Sequence, residues 1–474
     1  MGRLNSVYIL VGSFSSLVGA LLWWAIPGKE AGVDLPLRSP NGTQTKDFLP
    51  RGAPASLRLE GNQPSEAAHP SEEPVLATSP VSSERSSFST DPGLDRPNAV
   101  TKVTAANLRF GLKLFADLSR REPNHNLVLS PSSVATALGL TYNGAAGETR
   151  EAMARTLEIQ NLTLPEFNRG HAALHRRMRT SEPDLRSLSA NGLWVRRGVP
   201  LEPAFLRTAQ EDYGAEVASL DFDDPKATEV INQWVAERTE GKISQVVGDR
   251  LGEDTLLCLM NAVYFQGQWQ RPFDPTRTRE GRFTLADGTV TRHPMMEQFN
   301  TFRYLEKQQF QAVNLPYGDG RLSMVLFLPR RGLDFAEFAE VLNPDSLALW
   351  MADLENAEET NVLLVLPRFQ VQYEADLGGA LKDLGMGLAL DPMKADFRLM
   401  ASSGPRVFIK RVQHKCFLTV DEKGTEAAGS TSVHMGLESA QKFHRMEVDR
   451  PFFFAIRNQE TGDLLFVGSV FQPR

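Results

Sequence analysis

The hydrophobic pattern divides the chain into an apolar leader, a polar stretch and a long alternating region. Val7 to Ile26 carries no charged residue, follows Arg3 and closes with Trp23, Trp24 and Pro27. Its length suits a membrane span, and its tryptophans suit an interfacial belt. It also suits a secretory signal peptide, with Val18-Gly19-Ala20 as the small-residue cleavage site. Arg3 predicts a cytoplasmic N-terminus and export of everything after Lys29. The protein is then expected outside the cytoplasmic membrane, anchored if residues 1–27 persist and secreted if they are removed. Residues 28–100 are rich in Pro, Ser, Gly and Glu and read as a disordered tether. In ANLRFGLKLFADL, Leu108, Leu112, Phe115 and Leu118 fall at helical spacing and predict a core helix opening the folded region near Val103. Val407 to Val420 alternates as a long strand. Met446 to Arg474 reads as two apolar strands joined by a polar turn around Asn458 to Asp463.

Between these strands lies DEKGTEAAGSTS, Asp421 to Ser432. Its charged start, Glu422-Lys423, gives way to Gly424, Thr425, Glu426, Ala427, Ala428 and Gly429. Thr425, Ala427, Gly429, Thr431 and Val433 would share one face at strand spacing, and all are small or β-branched. Such a segment can enter a sheet between existing strands without clashing. Gly424 would be its backbone hinge.

Composition narrows the functions. The 474 residues are 41% hydrophobic and 23% charged, with a formal net charge of −7, so a large core is available and nucleic-acid binding has no support. Two cysteines, Cys258 and Cys416, exclude a disulfide framework and a multi-cysteine metal site. The chain has no HExxH, GxSxG, CxxC or GxxxxGK[ST] motif, and GAAGET at 144–149 lacks the lysine of a phosphate loop. His414, Asp421 and Ser430 invite a triad reading that spacing alone does not exclude, since triads are recognised by geometry; His414 and Asp421 are odd-spaced on one expected strand and point to opposite faces, which argues against it. No cofactor, no metal and no enzymatic activity are expected.

The blocks upstream carry a family resemblance. NLVLSPSSVATALGLTYNGAAGET (126–149), LSANGLWV (188–195), YGAEVASLDF (213–222), INQWVAERTEGKI (231–243), LCLMNAVYFQGQWQRPFD (257–274), LPYGDGRLSMVLFLP (315–329) and LPRFQVQYEADLGGALKDLGM (366–386) resemble, in order, those of the serpins, the serine-protease inhibitor family. The resemblance covers residues 101–474, and the hinge is closest to that of the antitrypsin group. It implies an α+β fold: a single domain of three β-sheets with surrounding helices and an exposed reactive-centre loop.

The resemblance also implies a function. The protein would be a suicide inhibitor of a serine protease, in monomeric form, whose cleaved loop enters the main sheet and traps the acyl-enzyme. A carrier or chaperone without inhibitory activity is the alternative. Glu422, Gly424, Thr425, Glu426, Ala427, Ala428 and Gly429 would form the hinge. Ser130, Ser133, Asn261 and His414 would form a hydrogen-bonded cluster beneath the parting strands, with Trp269 packed where the hinge enters. In the family the positions of Asn261 and His414 share one face of the sheet. Cys258 then faces away from them and Cys416 the same way, which predicts two free thiols. The family spacing places the reactive bond at Glu438-Ser439, pointing to a glutamyl-specific protease, with Leu437 or Met435 as the alternative for an elastase- or chymotrypsin-like enzyme. Lys442 or Arg445 would suit a trypsin-like enzyme but leave too long an insert. Arg169, Arg176, Arg177 and Arg179 make a basic cluster of the kind that binds polyanions in some members.

Overall fold

A computed structural model describes residues 97–178, 185–248, 251–252, 255–425 and 442–474. The apolar leader and the tether at 1–96 lie outside the described residues. Among those described, no helix is long and apolar enough to cross a membrane.

In chain order the elements are α1 (Pro97–Arg121), β1 (Leu127–Leu129), α2 (Pro131–Gly144), α3 (Gly147–Thr156), α4 (Leu164–Met178), β2 (Leu185–Arg196), α5 (Pro203–Glu211), β3 (Glu216–Leu220), α6 (Ala227–Arg238) and β4 (Leu257–Gln268). There follow β5 (Arg279–Thr284), β6 (Val290–Glu306), β7 (Phe310–Tyr317), β8 (Leu322–Pro329), α7 (Phe335–Val341), α8 (Pro344–Glu355), β9 (Glu359–Pro367) and β10 (Phe369–Asp376). The last strands are β11 (Arg411–Val420), β12 (Gly424–Thr425), β13 (His444–Glu447), β14 (Phe452–Asn458) and β15 (Leu464–Val470).

Helix α1 begins at Pro97, ahead of the expected start near Val103. Ala99 and Val100 are only half-buried, so apolar spacing does not mark this start. Leu112, Phe115 and Leu118 are buried as their spacing predicts. The strand expected from Val407 starts at Arg411. Val407, Phe408 and Ile409 are buried, but the Ile409 and Lys410 amides bond to Ala389 and Leu257 carbonyls outside the strand ladder. The C-terminal hairpin matches the pattern, with β14 and β15 separated by 459–463.

Two networks of strands result. One runs β10-β11-β4-β2-β3, with β12 attached to β4. The other runs β1-β15-β14-β8-β7-β6-β9-β13, with β5 on β6. Long β6 divides the second network. Its residues up to Arg303 pair with β5 and β9, whereas Tyr304 to Glu306 pair with β7. The three sheets of the α+β expectation are thus present, two of them joined through β6.

The six-stranded sheet is covered on both faces, and strand alternation sorts its residues between two cores. Leu257, Leu259, Val263 and Phe265 of β4 face the main core. Cys258, Met260, Ala262 and Tyr264 face a smaller core that includes Ile231 and Val235 of α6. A sheet buried on both sides leaves few places for polar side chains, so those it contains are informative.

Candidate functional site: a parallel seam and its hinge

Strands β11 and β4 run parallel and side by side, from Arg411 opposite Cys258 to Phe417 opposite Tyr264. Past that point β11 continues to Val420 and β4 to Gln268, and β12 lies antiparallel against the end of β4. Gly424 is opposite Gln268, and Thr425 is opposite Gly267. The chain leaving β11 therefore already turns back and pairs with the neighbouring strand.

The turn is built by Asp421. Its carboxylate accepts the Lys423 amide at 2.9 Å and the Gly424 amide at 3.2 Å, while its own amide donates to the Gly424 carbonyl at 2.8 Å. Gly424 has φ +150, and a Cβ there would stand 2.0 Å from the Gly267 carbonyl oxygen. Only glycine fits this crossing. Thr425 is fully buried, and its hydroxyl lies 2.8 Å from that of buried Tyr317. Burial raises the Tyr317 phenol far above its usual range, so it is a neutral partner. Trp269 stacks on Tyr317, with ring centroids 4.4 Å apart. Its indole N–H donates to the Asp421 carbonyl at 2.9 Å, and its amide donates to the Lys423 carbonyl at 2.8 Å. Trp269 thus packs against the turn that follows β11.

Glu422, an expected hinge residue, is buried despite its charge. It is 4% exposed. Arg368 Nε donates to both its oxygens, at 2.8 and 2.9 Å, and the Thr278 hydroxyl donates to one of them. Burial pushes its carboxyl up, but Arg368 and Thr278 outweigh that and hold it below the usual carboxylate range. The other hinge residues, Glu426 to Gly429, lie outside the described residues, as do Met435, Leu437 and the Glu438-Ser439 bond.

Lower in the seam the four residues singled out from the sequence meet. Pro131 starts α2 and Ser130 precedes it, which sets Ser130 and Ser133 against the sheet. His414 and Asn261 are register partners across the seam, with His414 Nδ1 2.6 Å from Asn261 Oδ1. Asn261 Nδ2 donates to Ser133 Oγ at 2.6 Å and to Asn191 Oδ1 at 2.5 Å. Because Asn261 Oδ1 accepts, His414 carries its proton on Nδ1. Its Nε2 then accepts the Ser130 amide at 3.4 Å and faces Cys416 Sγ at 3.1 Å. Burial lowers the His414 pKa to about 3, so the imidazole is neutral.

Two members of this cluster were missed: Asn191 and Ser189, whose hydroxyl lies 3.1 Å from that of Ser133. Their signal is in β2, where Ser187, Ser189 and Asn191 form a polar stripe at strand spacing.

Cys258 and Cys416 are both buried and unpaired. They face the smaller and the main core respectively, as parity predicts. Arg169, Arg176 and Arg177 are exposed on α4, and Arg179 lies outside the described residues. Among the described residues no group of His, Cys, Asp and Glu could hold a metal ion.

Comparison with known proteins agrees with this geometry. The family model for serpins (serine protease inhibitors) matches residues 105–473. Bovine (Bos taurus) serpin B8 is 33% identical over 372 residues, covering 78% of this chain and 98% of its own. Leukocyte elastase inhibitor of Homo sapiens is 32% identical, with 78% and 100% covered. An uncharacterized serpin-like protein of Thermococcus kodakarensis is 35% identical, with 78% and 86% covered. Among solved structures, native tengpin, a thermophilic serpin, superposes with a TM-score of 0.72 at 27% identity, covering 79% of this chain and 94% of tengpin. Human thyroxine-binding globulin with its hormone superposes at 0.73 and 25% identity, covering 79% and 99%. The chain belongs to the serpin family, whose members inhibit proteases or bind ligands rather than catalyse reactions.

Proposed function

We propose that the protein is a suicide inhibitor of a serine protease, which it traps by inserting its cleaved loop between β11 and β4. One observation supports this most: β12 already pairs with β4 at the open end of a parallel seam. A parallel pair can accept one antiparallel strand between its members, exchanging one ladder of hydrogen bonds for two. The protease would attack the loop and form an acyl-enzyme through its own serine. Insertion would then carry the enzyme along the sheet before hydrolysis is complete. Loop insertion by serpins is a known case of strand addition and released strain.

In this reading His414 and Asn261 act as a latch, since a strand between them must break their direct hydrogen bond. The reactive bond is proposed at Glu438-Ser439, with Leu437 as the alternative, and the target as a glutamyl-specific or an elastase- or chymotrypsin-like enzyme. The carrier alternative draws on thyroxine-binding globulin among the structural relatives. Small residues through the hinge oppose it. The leader at 1–27 would anchor the domain outside the membrane or be cleaved. The exposed arginines of α4 would take a polyanion, as native protease nexin-1 was solved with heparin.

Incubation with a panel of proteases tests the proposal. A complex that survives denaturing electrophoresis is the expected result; cleavage or silence with every enzyme would sink it. Mass spectrometry of the released C-terminal fragment locates the bond. A start at Ser439 supports Glu438, a start at Glu438 moves the bond to Leu437, and a start at Phe443 or Met446 refutes the hinge spacing.

A further inference from the structure

Arg282 of β5 and Arg292 of β6 stand directly opposite each other. Both are exposed, and neither makes a hydrogen bond or ion pair with any described residue. Like charges directly opposed across a strand pair destabilise it. The face they share is the outward one. It also carries Glu280, Pro294 and exposed Val290, while Phe283 on the other face is buried. Asp287 in the connecting turn is occupied by the Thr289 amide at 2.8 Å.

The position of this hairpin gives the pair a meaning. Thr278, just before β5, donates its hydroxyl to Glu422 at the stem that enters the reactive loop. Thr284, at the end of β5, donates its amide at 2.7 Å to the carbonyl of Asp449, past the strand that leaves the loop. Strand β5 therefore reaches from one stem of the loop to the other. Among the described strands it pairs with β6 alone. An enzyme seated on the loop comes down beside this strand. In a chain of net charge −7, two unpaired arginines at that spot favour a partner of opposite sign.

We propose that the outward face of the β5–β6 hairpin, centred on Arg282 and Arg292, docks an acidic patch on the protease that attacks the loop. This rests on the inhibitory reading above. The surface acts in the encounter, before any bond is cleaved, so it sets the association rate and the choice of enzyme.

Arg282→Glu separates this from a structural role, because it replaces an opposed like pair by an opposite one. We expect the melting temperature to hold or rise. With the protease that wild type traps fastest, the association rate at low salt should fall about tenfold and lose most of its salt dependence. Stoichiometry of inhibition should not change. Arg207→Glu, at an exposed position of α5, should leave that rate alone. An unchanged rate for Arg282→Glu overturns the proposal. So does an equal loss in both variants, which would point to general charge. A second probe needs no inhibition: a hexaglutamate peptide should bind wild type several-fold more tightly than Arg282→Glu. Equal binding overturns the docking surface. Failure of wild type to trap any protease would overturn the inhibitory reading instead, and with it the assignment of the partner as a protease. Heparin binding that is lost in Arg282→Glu while the protease rate holds would identify the face as a polyanion site, against the proposal.

Discussion

Arg368 grips both carboxylate oxygens of Glu422 at the point where the chain leaves β11, and it does so from the residue between β9 and β10. The acid is buried and the guanidinium is half-exposed. Removing the base would strand a buried carboxylate. Arg368→Ala should therefore cost more than Glu422→Gln, by about 1 to 3 kcal/mol, measured by urea unfolding at neutral pH. Equal costs would show that the pair contributes little.

The same pair gives a pH signature. The Glu422 pKa is lowered in the folded protein, so its contribution is complete above the unfolded value, about 4.3, and is lost as pH falls through the folded value. Wild type should lose stability between neutral pH and the acid range more steeply than Glu422→Gln, with the divergence beginning below about pH 5.

Buried histidines act in a higher window. His414 and His171 are both pushed down to about 3 by burial. The unfolded chain takes up these protons near pH 6.5 while the native one does not, so stability falls as pH drops below that point. From pH 7 to 5 the loss should be about 2 to 4 kcal/mol for the two together. His171 packs against Phe167 and Tyr213, and its Nε2 has no hydrogen-bond partner. His171→Phe should keep that packing and roughly halve the loss. An unchanged pH slope would mean that His171 titrates normally.

Thr425→Arg should turn an inhibitor into a substrate, because a charge would have to occupy the buried site beside Tyr317. Gels should then show cleavage without a stable complex. Inhibition at the wild-type level would remove insertion as the mechanism.

Cleavage within the loop should raise the melting temperature, since the freed strand would replace the single β11–β4 ladder by two. Superimposable melting curves for intact and cleaved protein would count against metastability.

Two thiols should titrate on denaturation without reductant, and neither should react in the native state. Burial raises Cys258 to about 12 and Cys416 higher still. A disulfide found instead would contradict the separation of the two residues on opposite faces.

How much of this was legible beforehand depends on the kind of signal. Thr425 stood out because it opens a run of small or β-branched residues at every second place, and Gly424 because the glycine before that run can serve as a backbone hinge. His414, Asn261, Ser130 and Ser133 came from family resemblance. No spacing rule brings His414 beside Ser130, residues 284 positions apart. The Arg368 partner of Glu422 was not legible, because it lies 54 positions away. Ser189 and Asn191 were readable as a polar stripe, but a stripe alone does not reveal which side of a doubly covered sheet it faces.

The pairing of Gly424 with Gln268 and Thr425 with Gly267 also works as a ruler. A strand extended in that register would bring Ala427 to Phe265, Gly429 to Val263 and Thr431 to Asn261. The hydroxyl of Thr431 would arrive as the incoming strand parts Asn261 from His414, and so offer a replacement partner. The scale ends where β4 begins, with Met435 at Leu257. A cut at Leu437 or Glu438 would draw the tether taut just as the sheet runs out. A cut at Arg445 would leave the captured enzyme on a slack leash, free to recover.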